Sequence, residues 1–234
     1  MPEQQNVQHT SRSALQIAID GPSASGKSTL GRAIADSLGC RFLDTGQMYR
    51  AVTFKALLEG VSATDVTALG RIAQDLEFEL SDDGLSVDGS PAGPELHSPE
   101  VDSAVSAVSA HPSVRSVFVR RQREMASGDC IVMVGRDIGT TVLPEAPVKL
   151  WVTASDVERA RRRARDQREH VLLEGHDSAR ARLGARDRFD STRAHSPLQK
   201  APDAIFVNTD GRSPGQVLSQ ALAAIRAASE DGPS

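Results

Sequence analysis

The 234-residue chain is poor in cysteine, in long apolar runs and in net positive charge. Its two cysteines, Cys40 and Cys130, lack the spacing of a metal site. We predict that they are buried, reduced thiols of a cytoplasmic protein and form no disulfide. No apolar run reaches the roughly 18 residues that a membrane-spanning helix needs. The first 13 residues are polar and lack an apolar signal-peptide core, so we expect 1–13 to be a disordered tail.

The formal net charge of −4 at pH 7 argues against a general binder of nucleic acids or membrane surfaces. Apolar residues make up 39% of the chain, which is enough for a full core. The length suits one large domain or one domain with an insertion. The sequence contains no internal repeat and offers no clear oligomer interface, so we expect a monomer.

The most informative stretch is GPSASGKS at 21–28, which fits the phosphate-binding pattern G-x-x-x-x-G-K-[ST]. The segment 15–20 predicts a strand before it, and 27–38 predicts a helix after it. In such a loop backbone N–H groups bind phosphate, the lysine contacts the β- and γ-phosphates, and the last hydroxyl serves Mg²⁺. The predicted ATP-binding residues are Gly21, Pro22, Ser23, Ala24, Ser25, Gly26, Lys27, Ser28 and Thr29, with Ser28 as the metal ligand.

Strand and helix patterns alternate over much of the chain. Five segments predict core strands, near 15–20, 41–44, 130–134, 148–152 and 204–208. A Thr45-Gly46 turn precedes a helix at 47–58, and later helices are predicted at 155–173, about 177–189 and 213–228. This order predicts an α/β sandwich with a parallel sheet. Ligands of such sheets bind beyond the carboxyl ends of the strands, where Asp20, Asp44, residues 135–137 and Asn208 lie.

Residues 61–127 interrupt this alternation. We predict a helix at 64–75 capped by Thr64 or Ser62, a hairpin that turns at 81–84, a loop at 90–99 and helices at 99–110 and 112–127. An antiparallel hairpin inside a parallel pattern indicates an inserted subdomain over 61–127. The core would then comprise 14–60 and 128–230.

Arginine is concentrated at 154–193, which holds 11 Arg and 8 Asp or Glu. Arginine forms bidentate contacts with phosphate oxygens, so we predict an arginine-bearing lid over 159–190 that closes on a nucleotide site. The alternative is a solvated, salt-bridged pair of helices. Nucleic-acid binding is disfavoured because acidic residues interleave with the arginines and Phe189 is the single aromatic residue of the segment.

Several blocks together resemble the bacterial-type cytidylate kinases. The resemblance extends over about 15–210, and its ordered set of motifs is far more specific than the phosphate loop alone. The blocks are Ile19-Asp20-Gly21-Pro22 with the loop, Leu43-Asp44-Thr45-Gly46 with Tyr49-Arg50, Val114-Arg115 with Arg120-Arg121-Gln122-Arg123, Gly135-Arg136-Asp137-Ile138-Gly139-Thr140, and Arg186-Asp187-x-x-Asp190-x-x-Arg193.

The resemblance implies a three-layer α/β/α P-loop kinase with a five-stranded parallel sheet, an inserted NMP-binding subdomain and an arginine-rich lid. It implies transfer of the ATP γ-phosphoryl group to CMP or dCMP with Mg²⁺, without nucleic-acid or membrane partners. Matched positions imply acceptor or nucleotide contacts for Thr45, Arg136, Arg186 and Arg193, base contacts for Ser106, Arg115 and Asp137, a sugar contact for Asp190, and ATP-binding lid arginines Arg159 and Arg163.

One block departs from the family. Residues 95–98 read Glu-Leu-His-Ser, where the family usually has an Ile-Arg pair. A basic group near the acceptor is therefore missing or replaced by His97. Of Arg115, Arg120, Arg121 and Arg123, helical spacing lets only some face a ligand, so we expect two to be solvated.

The acceptor implied by the resemblance decides the chemistry. A phosphate monoester is mostly dianionic near pH 7, so its attack needs charge screening and no general base. We expect Lys27, Arg136, Arg186 and lid arginines to carry the transition-state charge. Two alternatives stay open: a kinase of a small hydroxyl metabolite with Asp44 as base, and a nucleotide switch without an acceptor. Asp44 could also only cap a helix, and Asp137 could serve Mg²⁺ through water.

Overall fold

The computed structural model describes residues 15–169 and 176–230, with side chains over 15–165 and 180–228. The predicted tail at 1–13 lies outside the described residues, as do 170–175 of the predicted lid. In the described part the strands are β1 Gln16–Asp20, β2 Arg41–Asp44, β3 Phe78–Ser81, β4 Gly84–Val87, β5 Ser90–Pro91, β6 Ile131–Gly135, β7 Val148–Thr153 and β8 Ile205–Asn208. The helices are α1 Lys27–Leu38, α2 Thr45–Leu58, α3 Val66–Asp75, α4 Pro99–Ala110, α5 Pro112–Met125, α6 Asp156–Glu169, α7 His176–Thr192 and α8 Pro214–Glu230.

Five strands form one parallel sheet in the order β2-β6-β1-β7-β8. Successive side chains of a strand point to opposite faces, and both faces are apolar here. Ile17, Ile19 and Val134 pack with α1 and α8 on one face, whereas Ala18 and Met133 pack with α2 on the other. The sheet is therefore the middle layer of a three-layer α/β/α fold, and the prediction from the sequence is confirmed.

Helix α1 packs close to the sheet because residue 31 is a glycine. A Cβ atom at this position would lie 2.6 Å from Cγ1 of Val134 and 2.9 Å from Cε2 of Phe42. Both neighbours belong to strands of the sheet, β6 and β2. The small residue thus fixes the distance between the sheet and the helix that follows the phosphate loop.

The segment between α2 and β6 forms its own three-stranded antiparallel sheet, in the order β3-β4-β5. The hairpin prediction is confirmed, with Ser81 paired to Gly84. The predicted loop at 90–99 is partly wrong, since it contains β5 and a 3-10 turn at Pro94–His97. Apolar side chains of this segment join the cluster under α2, so they contribute to the same core.

Two helix starts differ from the predictions. Thr45 and Gly46 belong to the first turn of α2, because the Asp44 carboxylate caps the helix by accepting from the Gly46 amide at 3.0 Å. Helix α3 begins at Val66 and is capped by Asp65, which accepts from the Ala68 amide at 2.9 Å. Ser62 and Thr64, the predicted caps, bond to each other instead.

The prediction of two reduced thiols is wrong, because Cys40 and Cys130 form a disulfide. Each residue directly precedes a strand, and those strands, β2 and β6, are parallel neighbours with Arg41 opposite Ile131. The register therefore brings the two Cα atoms to 4.7 Å. This edge of the sheet is the one opposite the phosphate loop. Within the described residues no helix is both long and apolar enough to cross a membrane.

We predict that Gly31→Ala lowers the free energy of unfolding by about 1–3 kcal/mol, because the added methyl group overpacks the contact with the sheet. Gly215→Ala in α8 is the matched control, since nothing apart from its chain neighbours and its own helix backbone lies within 4 Å of the place that the added methyl group would occupy. That control should stay within about 1 kcal/mol of the wild type. Urea unfolding of the three proteins measures the difference, and equal stability of both variants would contradict the close packing.

Candidate active site

The phosphate loop leaves the carboxyl end of β1 and enters α1. A Cβ atom on Gly21 would lie 2.0 Å from the carbonyl oxygen of Val152, so only glycine fits there. Gly26 has a φ of 89°, which places the last loop residue in the left-handed region. The loop is thereby wrapped tightly at the N-terminus of α1, where free backbone N–H groups form an anion site.

Lys27 is a buried cation at this loop, with 8% of its surface exposed. Its Nζ donates to the carbonyl oxygen of Pro22 at 3.0 Å. Burial lowers the pKa of Lys27 well below its usual value, and the charge of Arg136 lowers it further, while Asp44 raises it. A buried cation next to another cation favours the arrival of an anionic ligand.

Ser28 and Asp44 form an oxygen pair beside the loop. The Ser28 hydroxyl donates to Oδ2 of Asp44 at 2.6 Å. Hydroxyl and carboxylate oxygens are ligands that Mg²⁺ accepts, and Mg²⁺ usually completes its shell with water and substrate phosphates. No group of three or more His, Cys, Asp or Glu side chains suited to a metal ion occurs in the described part of the chain. The pair therefore fits a metal that arrives with a nucleotide, and no all-protein cage is needed.

Asp187 connects α7 to the phosphate loop, a contact that the sequence analysis missed. Its Oδ1 accepts from the Ser23 amide at 3.1 Å, and its Oδ2 pairs with Arg159. Arg159 also donates to the carbonyl oxygen of Ser23 at 3.1 Å and is buried. One carboxylate and one guanidinium thus clamp the same loop residue.

Arg162 makes a second connection that the sequence analysis missed. Its guanidinium donates to the carbonyl oxygen of Ser25 at 3.2 Å and to Oγ1 of Thr209 at 2.9 Å. Thr209 follows β8, so this arginine ties α6 to both the loop and the last strand. Arg159 and Arg162 therefore hold the first part of α6 against the phosphate loop.

Four arginines and two aspartates crowd the space next to the loop. Arg136 donates to Ser23 Oγ at 2.7 Å and to Asp190 Oδ2 at 3.2 Å. Burial lowers the pKa of Arg186 to about 9, with further lowering by the positive charges of Arg136, Arg50 and Arg163. The Nε of Arg186 is buried and has no hydrogen-bond partner among the described residues. We call Arg50, Arg136, Arg163, Arg186, Asp102 and Asp190 the arginine cluster.

The arginine cluster carries more positive than negative charge. Its four guanidinium groups and two carboxylates leave a net charge of +2. Asp102 bridges Arg50 and Arg163, so the carboxylates already pair with the arginines that surround Arg186. Since a guanidinium with a pKa near 9 stays charged at neutral pH, the excess charge persists. A dianionic group would neutralise it.

A second cluster of polar side chains surrounds Asp137. Its carboxylate pairs with buried Arg115, and its other oxygen lies 3.8 Å from Arg193. Arg193 also lies 4.0 Å from Asp190, which links this group to the arginine cluster. Tyr49 closes it, with the Arg115 guanidinium 5.5 Å from the ring centre. These side chains could recognise the edge of a polar ring through several directed hydrogen bonds.

The structure brings most of the predicted site residues to this edge of the sheet. Thr45 uses its hydroxyl to donate to the carbonyl oxygen of Val134 at 2.9 Å. Ser106 is half-buried on α4. His97 is exposed, whereas Arg50 donates to the carbonyl oxygen of the preceding Leu96 at 2.8 Å.

Arginines of α5 divide as expected from helical spacing. Arg115 reaches Asp137, whereas Arg120 and Arg123 are exposed. Arg121 donates to carbonyl groups at the end of α3, and Arg123 donates to those of Thr141 and Val142. Three of the four arginines thus have structural contacts or face solvent.

Comparison with known proteins decides the family. The model of the cytidylate kinase family matches residues 17–227. The chain belongs to the cytidylate kinase family. A cytidylate kinase of Mycobacterium avium is 43% identical over 219 residues, which cover 92% of this chain and 96% of that protein. One from Shouchella clausii is 42% identical over 210 residues, covering 88% and 93% of the two chains.

A solved structure supports the fold alone. A gluconokinase from Sinorhizobium meliloti has a TM-score of 0.50 and 16% identity, and the match covers 94% of this chain and 96% of that one. The shared architecture agrees with the three-layer fold. The family assignment of the chain therefore comes from the sequence comparisons, and the fold from both.

Asp20, at the end of β1, positions the segment that carries Arg136 and Asp137. Its carboxylate accepts from the amides of Ile138 and Gly139, both at 2.8 Å, at the start of a π-helical turn, Ile138–Val142. Burial raises the pKa of Asp20 to about 6, although both amide bonds lower it. In the sequence Asp20 was evident as a strand end and as part of a family motif, but without a role of its own.

We predict that Asp20 makes stability fall as pH rises from about 4 to 7. Its pKa is near 6 in the folded state and 3.8 ordinarily, so in this range the folded state holds more protons than the unfolded state. The difference in free energy of unfolding between wild type and Asp20→Asn should shrink by up to about 3 kcal/mol over this range.

Urea unfolding of both proteins between pH 4.5 and 7.5 measures this difference. Asparagine has one acceptor oxygen, so the variant loses one of the two hydrogen bonds from the backbone amides. This loss adds to the free-energy difference an offset that does not depend on pH. A difference that stays constant, or that grows with pH, would show that Asp20 is ionised throughout.

Proposed function

We propose that this member of the cytidylate kinase family transfers the γ-phosphoryl group of ATP to CMP or dCMP. The observation that carries the proposal is the net charge of +2 in the arginine cluster, directly beside the phosphate loop. That charge matches the dianion of a nucleoside monophosphate. The family assignment supports the same substrates.

In this mechanism the phosphate loop and Lys27 bind the ATP phosphates, assisted by Arg159. The arginine cluster binds the acceptor phosphate, with Arg136 and Arg186 next to the transferred group. Arg163, which the resemblance assigns to ATP, is placed on the acceptor side here because it pairs with Asp102 of α4. Positioning two anions in line and screening their charges is what phosphoryl transfer requires. Ser28, beside the carboxylate of Asp44, would hold Mg²⁺, which would supply neutralisation of phosphate charge.

The acceptor base would lie against the group around Asp137. We assign recognition of cytosine to Arg115, Asp137 and Ser106, and contact with the sugar to Asp190, as the family resemblance implies. The Arg115–Asp137 pair supports the first assignment, and the contacts of Asp190 with Arg136 and Arg193 support the second. Arg193 lies close to both Asp137 and Asp190, which supports a single nucleotide that spans the group around Asp137 and the arginine cluster.

We further assign the segment 61–127 to the acceptor side and 159–190 to a lid. The separate antiparallel sheet supports the first assignment. The contacts of Arg159 and Arg162 with the loop support the second. We keep the expectation of a monomer and propose a cytoplasmic location, because both nucleotides are cytoplasmic metabolites.

Asp44 is poorly placed to act as a base for a small hydroxyl substrate. One carboxylate oxygen accepts from the Gly46 amide and the other from Ser28. Each oxygen thus already accepts a hydrogen bond, and the carboxylate lies beside the proposed metal position. This favours a phosphate acceptor over a hydroxyl acceptor.

We predict rapid ADP release with MgATP and CMP or dCMP, and slow release with UMP, AMP or shikimate, because the base and phosphate contacts act together. A coupled ADP-release assay measures this panel. Lys27→Ala, prepared in parallel, is the control for contaminating kinases and should lose the activity. Slow hydrolysis of ATP with none of the acceptors would contradict the proposal, and equal turnover of UMP would contradict the assigned base contacts.

A further inference from the structure

Asp102 occupies a position that neither the phosphate loop nor the base contacts explain. It lies on α4, with 13% of its side chain exposed. Its Oδ1 accepts from Nη2 of Arg50, on α2, at 2.6 Å. Its Oδ2 pairs with Nη2 of Arg163, on α6. One carboxylate therefore joins three helices that are far apart in the sequence.

Both partners of Asp102 belong to the arginine cluster. The positive charges of Arg50 and Arg163 act on Arg186, whose Nε has no partner among the described residues. Without Asp102, these two guanidinium groups would repel each other and Arg186. The carboxylate is thus what allows them to stay beside the space that a phosphate would fill.

The geometry favours a role in orientation. Nη1 of Arg50 is bound to the carbonyl oxygen of Leu96 at 2.8 Å, and its Nη2 is bound to Asp102. A guanidinium bound at both terminal nitrogens cannot rotate freely, so its remaining N–H groups are held in fixed directions. Asp102 also binds Nη2 of Arg163, so the same carboxylate fixes the position of a second guanidinium group.

We propose that Asp102 is a positioning residue that clasps α6 to α2 and α4 and so orients Arg50 and Arg163 toward the acceptor phosphate. The inference rests on the proposed function, because the oriented donors need a phosphate on the acceptor side. It adds a residue to that function, since Asp102 acts through Arg50 and Arg163. The contacts of Asp102 with Arg50 and Arg163 hold α6 against α2 and α4 beside the proposed acceptor site.

A different role for Asp102, in which it occupies the place of the acceptor phosphate, would change the KM for CMP in the opposite direction. If Asp102 merely stood in for the phosphate, it would compete with CMP, and its removal would lower the KM for CMP. If Asp102 orients the arginines, its removal lets them repel each other and raises that KM. The direction of the change therefore separates the two roles.

The test compares Asp102→Asn with the wild type in steady-state kinetics with CMP and MgATP. We expect the KM for CMP to rise about tenfold, as for loss of one charge-assisted hydrogen bond, and the KM for ATP to stay within about twofold. Asp203→Asn is the matched control, because its carboxylate pairs with Lys149 away from the site and is 61% exposed. Thermal unfolding of each variant checks the fold.

A double-substitution cycle adds a readout that a merely structural role would not move. Arg163→Gln alone should also raise the KM for CMP, and the double variant should be less impaired than the product of the two effects. Asp102→Glu, which keeps the charge, should recover part of the affinity.

The outcomes separate the two proposals. An unchanged or lowered KM for CMP, an equal rise for both substrates, or independent effects in the cycle would overturn the clasp. Those results would leave the kinase activity of the wild type intact. If the wild type itself does not phosphorylate CMP, the proposed function fails and the clasp fails with it.

Discussion

Repulsion between cations held close together is the constraint on which the site depends. Lys27, Arg50 and Arg186 are all lowered in pKa, first by burial, and in each case the charge of Arg136 lowers the pKa further. Cations held so close together are stable only if the fold keeps them rigidly in place and supplies negative charge that partly balances them. The parallel sheet provides the rigid support at the carboxyl ends of its strands, and the helices α2, α6 and α7 converge on that edge.

Aspartates supply the balancing negative charge, and each also connects elements that are distant in sequence. Asp187 links α7 to the phosphate loop, Asp190 links it to Arg136, and Asp102 links α6 to α2 and α4. The carboxylates balance part of the charge and leave the remainder for a substrate phosphate. The same contacts hold the proposed lid over the site, so electrostatic balance and closure are two effects of one set of ion pairs.

Local features of the fold could be predicted from the sequence, whereas contacts between distant residues could not. The core strands were evident because segments such as IVMVG are apolar on both faces, and the loop has a fixed pattern. The disulfide depends on β2 lying beside β6, which no local pattern reveals. The partners of Asp102 and Asp187 likewise depend on tertiary packing, and acidic residues among many arginines resemble a solvated helix surface.

The central claim is that the arginine cluster binds the dianionic phosphate of the acceptor. Calorimetric titration of the wild type with CMP and with cytidine, in the absence of ATP, tests it most directly. The two ligands share the base and the sugar and differ only in the phosphate. We expect cytidine to bind at least about 100-fold more weakly, since several charge-assisted hydrogen bonds are lost. Dissociation constants that agree within about threefold would contradict the claim.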